Sequence, residues 1–272
     1  GSTGIGRATA LALARQGAEL ILVSRNEQRG RQTLQEINQL YPAATAQFIP
    51  CDLSSLASVR ELAATIRQKY TRLDILINNA GILPGLRENS PEGFELSWAT
   101  NHLGPFLLTN LLLPLLKEAP QARIINVSSE AHRLGQIEFN AAMARRNYST
   151  LTAYCDSKLA NILFNYELAR QLQNTTITVN SLHPGVIASS FGSTGSGALK
   201  WVFRLARPFM KTSEQGAATS IYLATSPEVA TKTGLYFKKC RPVSSSKLSY
   251  NQPLARRLCQ ASAEQTGLEN PE

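Results

Sequence analysis

The sequence predicts an α/β domain built on a doubly wound parallel sheet, three layers deep, with helices on both faces. Two observations carry that reading. Short apolar, strand-like runs alternate along the chain with segments whose apolar residues recur at helical intervals, the pattern of parallel strands joined by crossover helices. Near its start, Gly1-Ser2-Thr3-Gly4-Ile5-Gly6 forms a glycine-rich turn that opens directly into a helical segment. A length of 272 residues suits one large domain with an ample core, and the whole of 1–272 is read as that domain.

Taken in order, the glycine turn leads into a helix over 5–16. Glu19-Leu20-Ile21-Leu22-Val23 is a strand (19–24), followed by a helix over 27–40 and a strand over 46–50. A helix over 55–70 begins near Leu56, with Ser54 or Ser55 placed to cap it. The strand 73–77, Leu73-Asp74-Ile75-Leu76-Ile77, runs into Asn78-Asn79-Ala80-Gly81, and a long helix over 92–116 carries Thr100-Asn101-His102. Arg123-Ile124-Ile125-Asn126-Val127 reads as a buried strand (122–128) that ends in two hydroxyls, Ser128 and Ser129. A helix over 153–173, a strand over 176–182, helices over 198–210 and 213–225, and a strand over 233–238 complete the series. Ser213 stands before Glu214-Gln215-Gly216 as the cap of the last helix. A fold of this kind places a strand before its glycine turn, and none precedes Gly1. The chain is therefore read as N-terminally truncated by roughly ten residues, a strand and its lead-in. In the strand order 3-2-1-4-5-6 that strand is central, between the strands at 19–24 and 73–77.

Hydrophobic content of 43% and charged content of 17% fit a water-exposed globular protein, and no repeat or low-complexity tract interrupts the pattern. No apolar stretch reaches the ~18 residues of a membrane span. The longest, Phe106 to Leu116, is broken by Thr109, Asn110 and Pro114. The four cysteines are scattered without a Cys-x-x-Cys pair, which reads as reduced thiols in a cytoplasmic protein. Cys155 is expected to pack, pointing roughly 100° away from Tyr154 around the helix. His102, His132 and His183 lack metal-ligand spacing, so no zinc site is expected. The net charge of +9 suggests anionic partners, but the basic residues are spread along the chain and no nucleic-acid motif accompanies them. An anionic cofactor, and peripheral contact with an anionic membrane surface, account for the bias better.

The chemistry centres on Tyr154 and Lys158, four residues apart on the helix over 153–173 and so neighbours on one face. An ammonium beside a phenol favours the phenolate and draws its pKa down from about 10. Such a phenol exchanges a proton with an alcohol or carbonyl oxygen. Helices carry this spacing by chance as well, so the pair gains meaning only from its company. Ser128-Ser129 lies upstream, then Asn78-Asn79-Ala80-Gly81 and Asn101, and before them the glycine turn.

In this order and at these intervals the set resembles the short-chain dehydrogenase/reductase family, over essentially the whole chain. The runs Phe106-Leu107-Leu108-Thr109-Asn110-Leu111-Leu112, Ser128-Ser129-Glu130-Ala131-His132 and Ala153 to Asn161 look most like its retinol dehydrogenase branch. The resemblance implies a Rossmann fold and a catalytic set of Asn101, Ser129, Tyr154 and Lys158. Ser129 orients the carbonyl oxygen, Tyr154 is the general acid/base, and Lys158 holds the nicotinamide ribose and tunes Tyr154. Asn101 distorts its helix and holds a water that leads to Lys158.

The resemblance also assigns the cofactor site. Ser2, Thr3, Gly4, Ile5 and Gly6 face the pyrophosphate, Asp52 and Leu53 the adenine, and Asn78, Ala80 and Gly81 the ribose and nicotinamide, while Asn79 braces the sheet. Pro184, Gly185 and Ile187 close over the nicotinamide. The strand 19–24 ends in Ser24-Arg25-Asn26 with no acid at its tip, so Arg25, joined by Arg7, favours NADP(H), with NAD(H) the alternative. The family's first turn glycine would lie before residue 1, and Ser189 replaces a common Thr. The interval from Ser129 to Tyr154 is longer than in the shortest members, because residues 137–150 form an insertion that the retinol dehydrogenase branch shares. Residues 190–211, with glycines at 192, 195 and 197, are read as a substrate lid whose apolar side could also touch a membrane or partner. The expected activity is hydride transfer between nicotinamide and a lipophilic carbonyl or alcohol, in a chain compatible with a homo-oligomer. A catalytically silent NADP-binding sensor or scaffold is the other reading.

Overall fold

Runs such as Ile124-Ile125 and Val179 must be covered on both faces, and the fold meets that demand with helices on either side of parallel strands. The computed structural model describes residues 2–139, 148–185 and 212–268. Elements follow in the order α1 (Gly4–Arg15), β1 (Leu20–Ser24), α2 (Glu27–Leu40), β2 (Ala46–Pro50), α3 (Leu56–Lys69) and β3 (Ile75–Asn78). A single turn, α4 (Leu96–Trp98), runs through a π-helical turn (Ala99–Leu103) into α5 (Gly104–Lys117), followed by β4 (Arg123–Val127). Then come α6 (Thr150–Gln171), β5 (Thr178–His183), α7 (Ser213–Thr225), β6 (Leu235–Lys238), β7 (Arg241–Pro242) and α8 (Gln252–Thr266). No helix among the described residues is long and apolar enough to cross a membrane.

The ladder β3-β4-β5-β6 is parallel throughout, and β7 closes its edge as an antiparallel hairpin partner of β6. β1 and β2 form a second parallel ladder, so among the described residues the sheet is divided between β1 and β3. Register brings Asn78 opposite Asn126, Val127 opposite Leu182, and His183 opposite Lys238. The carboxyl ends of β3, β4 and β5 therefore finish side by side, where open parallel sheets bind their ligands.

Alternation along the strands divides the core. Ile124 and Val179 pack with Val59, Leu62, Leu107 and Leu116 of α3 and α5. Ile125, Val127 and Leu182 pack with Leu13 of α1 and Leu223 of α7 on the opposite face. α2 leans on β1 through Ile37 and Leu22.

Several expectations need correction. The helix over 92–116 starts only at Leu96: Gly93 has a φ of +86°, and the Glu95 carboxylate caps α4 by accepting from the Trp98 amide at 2.7 Å. Of the two serines placed to cap α3, Ser55 does so, accepting from Ser58 N at 3.3 Å. The cap of α7 is Thr212 rather than Ser213, and Gln215 reaches back to complete a capping box. α6 starts three residues early because Ser149 caps it. The hairpin strand β7 and helix α8 have no counterpart in the sequence reading; α8 packs Ala255 and Leu258 on Leu159 and Leu163 of α6, but the rest of its buried face, Ser262, Ala263 and Thr266, is small or polar and weakens the apolar period. The helix over 198–210, the lid over 190–211 and Ser189 lie outside the described residues.

Candidate active site

Two adjacent serines leave β4, and strand geometry sends their side chains to opposite sides. Ser128 is buried, its amide bonded to Leu182 O and its hydroxyl donating to the Lys158 carbonyl at 2.8 Å. Ser129 faces the other way. Its hydroxyl caps the 3-10 turn Glu130–Leu134, accepting from Ala131 N at 3.2 Å, and lies near enough to the Tyr154 phenol to draw its pKa downward. Of the pair, only Ser129 meets the tyrosine.

Tyr154 and Lys158 sit one turn apart on α6, with the ammonium 5.7 Å from the Tyr154 ring centroid. Lys158 is 3% exposed, and its Nζ donates to the Val127 carbonyl at 3.1 Å. Burial pulls its pKa down to about 8. The phenol departs from expectation. Its surroundings push the Tyr154 pKa above the ordinary value, and the Ser129 hydroxyl offsets this only in part. The reason is geometric: Lys158 packs over the ring and spends a donor on Val127, while desolvation of a phenolate acts in full. Cys155, on the other side of the helix, is buried with its thiol pushed up, as a packing residue should be.

Asn101 lies in the π-helical turn, a local widening that brings its amide group out of the helix. Its Oδ1 accepts from Ile82 N at 2.7 Å while Nδ2 donates to Ile82 O and to Ser157 Oγ, both at 3.0 Å. It thus ties the segment after β3 to α6 beside Lys158. Gly81 stands in the same place, and a Cβ there would lie 3.0 Å from Lys158 Nζ and 3.8 Å from Asn101 Oδ1. The bracing role expected of Asn79 belongs to Asn78, whose Nδ2 donates to Thr109 Oγ1 and to Asn126 Oδ1, both at 2.9 Å. Ala80 follows, half-buried, between β3 and Gly81.

The cofactor candidates ring this centre. Gly4 begins α1 at a φ of +52°, which a residue with a Cβ rarely adopts, and Ile5 and Gly6 complete its first turn. Thr3, the N-cap, makes no side-chain cap bond, so its side chain does not close the first-turn amides. Ser2 is tied to α2 through its carbonyl and Thr33 Oγ1. Arg25 extends from the end of β1, its side chain 67% exposed, with one guanidinium nitrogen 3.9 Å from Asp52 Oδ2. Asp52 Oδ1 holds Ser54, and Leu53 packs on the core with its carbonyl against Gly104. Arg7 is not directed as expected: it is paired with Glu36 of α2, Nε to Oε2 at 2.8 Å. Pro184 and Gly185 leave β5 beside this centre, and Ile187 lies outside the described residues. An open helix N-terminus, a strand tip without an acid and a glycine pressed on the lysine fit an anionic dinucleotide. Among the described residues no cluster of His, Cys, Asp and Glu is placed to hold a metal.

Sequence reasoning missed the two histidines that flank Ser129. His132 and His183 bond to the peptide unit after Ser129. No spacing rule marks a side chain that works on a backbone group.

Comparison with known proteins shows what the whole chain is similar to. A short chain dehydrogenase family model matches residues 1–195. Retinol dehydrogenase 13 of Homo sapiens is 41% identical over 99% of this chain and 83% of its own length. An uncharacterised protein from Mycobacterium paratuberculosis superposes with a TM-score of 0.81 at 30% identity, over 100% of this chain and 92% of that one. A short chain dehydrogenase from Shigella flexneri, complexed with NADP, gives 0.70 at 27% identity over 88% and 94%.

Proposed function

This chain belongs to the short-chain dehydrogenase/reductase family, in its retinol dehydrogenase branch, and is an oxidoreductase of CH–OH donors; we propose that it exchanges a hydride between NADP(H) and a lipophilic carbonyl or alcohol of retinal-like, steroid-like or aliphatic kind. The observation that carries this reading is the meeting of Tyr154 with the buried Lys158, whose ammonium lies 5.7 Å from the phenol ring centroid, beside the Ser129 side chain at the end of β4. Bound NADPH supplies the hydride. The rest falls to the chain. Ser129 fixes the carbonyl oxygen beside the phenol, and Tyr154 delivers a proton to that oxygen. Burial raises the Tyr154 pKa, so the resting phenol holds the proton that reduction consumes, and it gives that proton up against the cost of burying a phenolate. Alcohol oxidation needs the phenolate and should accelerate as pH rises.

Lys158 offers a cation to the nicotinamide ribose and a positive field to the phenolate left after proton transfer. Asn101, bonded to Ser157 and Ile82, holds the wall against which Lys158 rests. Arg25 supports NADP(H) over NAD(H): it is an exposed guanidinium at the tip of β1, where a 2′-phosphate can take a charge-assisted contact. The NADP carried by the Shigella relative supports the same choice.

A panel of retinoid, steroid, aliphatic and aromatic carbonyls, each offered with NADPH and with NADH, tests the proposal. Reduction of at least one lipophilic carbonyl, faster with NADPH, is expected. Tight NADPH binding with no turnover of any carbonyl would instead identify a cofactor-binding sensor.

A further inference from the structure

The peptide unit between Ser129 and Glu130 is held at both ends. Its carbonyl, from Ser129, lies 2.6 Å from His132 Nδ1. Its amide, from Glu130, donates to His183 Nδ1 at 3.3 Å. Both histidines are buried, His132 completely and His183 at 8% exposure. The partners dictate the tautomers. An amide can only donate, so His183 Nδ1 accepts and its proton sits on Nε2. His132 Nε2 accepts from the Ser246 amide at 3.0 Å, so its proton sits on Nδ1 and is donated to the Ser129 carbonyl. The two rings grip one peptide plane in opposite tautomers, and protonation of either would set two donors against each other.

We propose that His132 and His183 are positioning residues for carbonyl reduction, fixing the Ser129–Glu130 peptide so that the Ser129 hydroxyl is aimed at Tyr154. The proposal deepens the catalytic reading above and rests on it. The peptide plane sets the direction of the Ser129 Cα–Cβ bond, and a misplaced group in a reacting set is costly.

The surroundings hold the clamp still. The His132 ring packs edge-on against Tyr236 at 5.0 Å, and the Tyr236 hydroxyl donates to Glu130 Oε1 at 2.9 Å. Glu130 is also paired with Arg133 at 3.1 Å and with Lys238 of β6 at 3.5 Å. Arg133 in turn donates to the carbonyls of Ser244 and Ser245, in the segment whose Ser246 amide holds His132. Burial pulls the His132 pKa below the ordinary histidine value, outweighing the upward pull of its bond to the Ser129 carbonyl and of Glu130, while Arg133 acts with burial; this agrees with the neutral ring that the hydrogen bonds require. A segment more than a hundred residues away in sequence thus reaches the catalytic serine through one imidazole.

Two measurements test this. Side-chain ¹⁵N spectra of the whole chain at pH 7.5, assigned by loss of signal in single His variants, should show His132 protonated on Nδ1 and His183 on Nε2, both neutral. An imidazolium or the reverse tautomer at either position overturns the clamp, whatever the protein turns over. In kinetics, His132→Phe keeps the ring packing but not the bonds and should lower kcat about tenfold or more, with NADPH affinity within about twofold. His132→Asn, whose Nδ2 takes the place of Nδ1, should recover most of that loss, while His132→Gln, which reaches only the Ser246 side, should not. A folded His132→Phe protein with unchanged kcat overturns the proposal. If that variant does not fold, equal kcat for the Asn and Gln variants overturns it instead. Absence of carbonyl reduction in the unmodified protein would refute the catalytic reading and leave the spectra to decide the clamp.

Discussion

At Lys158, burial pulls the pKa down from the ordinary lysine value to about 8, so at neutral pH the folded protein carries a charge its surroundings disfavour. The unfolded chain holds that proton more tightly. This group's contribution to stability therefore rises with pH between about 8 and the ordinary lysine value, and at neutral pH its cost is on the order of 3 kcal/mol. Lys158→Met removes the cost but leaves Val127 O without this donor, a loss of about 1 kcal/mol. We expect the variant to lose activity while gaining about 1–2 kcal/mol of stability at pH 7, with the gain shrinking by pH 9.5. Thermal melting of both proteins at the two pH values checks this, and a variant less stable at both contradicts it. Arg25 supplies a second prediction. A charge-assisted contact contributes about 1.5–3 kcal/mol, so Arg25→Asp should raise the KM for NADPH roughly ten- to a hundredfold and leave that for NADH nearly unchanged. Equal effects on both cofactors would remove Arg25 from the site. Ser129 was singled out through family resemblance, whereas the meeting of Tyr154 and Lys158 was legible in the sequence because residues four apart on a helix share a face. The high phenol pKa was not. Spacing says that a lysine is near, but whether its charge or the loss of water dominates depends on packing.

Among the elements, the parallel strands, though not the short β7, were legible to within about two residues, since runs such as Ile124-Ile125 admit few places other than a sheet covered on both faces. The irregular pieces were not. The stretch read as one helix over 92–116 is instead a cap at Glu95, the single turn α4, a π-helical turn around Asn101 and the helix α5, and that π-helical turn is what delivers Asn101 to Ile82 and Ser157. The sequence pointed to a distortion at Asn101 only through family resemblance. Composition alone carries no signal for a widened turn. Caps are finer still: Thr212 and Ser213 are both good cap residues, and only the reach of Gln215 back to Thr212 N, at 3.1 Å, separates them. Thr212→Ala should therefore cost about 1 kcal/mol and lower the melting midpoint by about 2–4 °C, whereas Ser213→Ala should change it little. Differential scanning calorimetry of the two variants decides between the caps, and the opposite order of melting points would reassign the helix start.

On the scale of the whole molecule, the site draws on segments that are far apart in sequence. α1 opens towards it, β3, β4 and β5 end beside it, α6 supplies the tyrosine and lysine, and the segment around Ser246 supports the serine through His132. The doubly wound topology was legible because strand and helix patterns alternate, and with it the side of the sheet on which chemistry could occur. Long-range support of the kind His132 provides follows from tertiary closure and leaves no local pattern to read. The central claim is that the assembled site reduces a carbonyl with NADPH through the Tyr154 hydroxyl. It is tested most directly by following transfer of deuterium from 4-deuterated NADPH to a reducible lipophilic aldehyde in the unmodified protein and in Tyr154→Phe, with NADPH affinity measured for both. The account predicts a singly deuterated alcohol from the unmodified protein and a rate lower by about 10²–10⁴-fold in Tyr154→Phe, at nearly equal affinity. Comparable rates of deuterium transfer in the two proteins would contradict it.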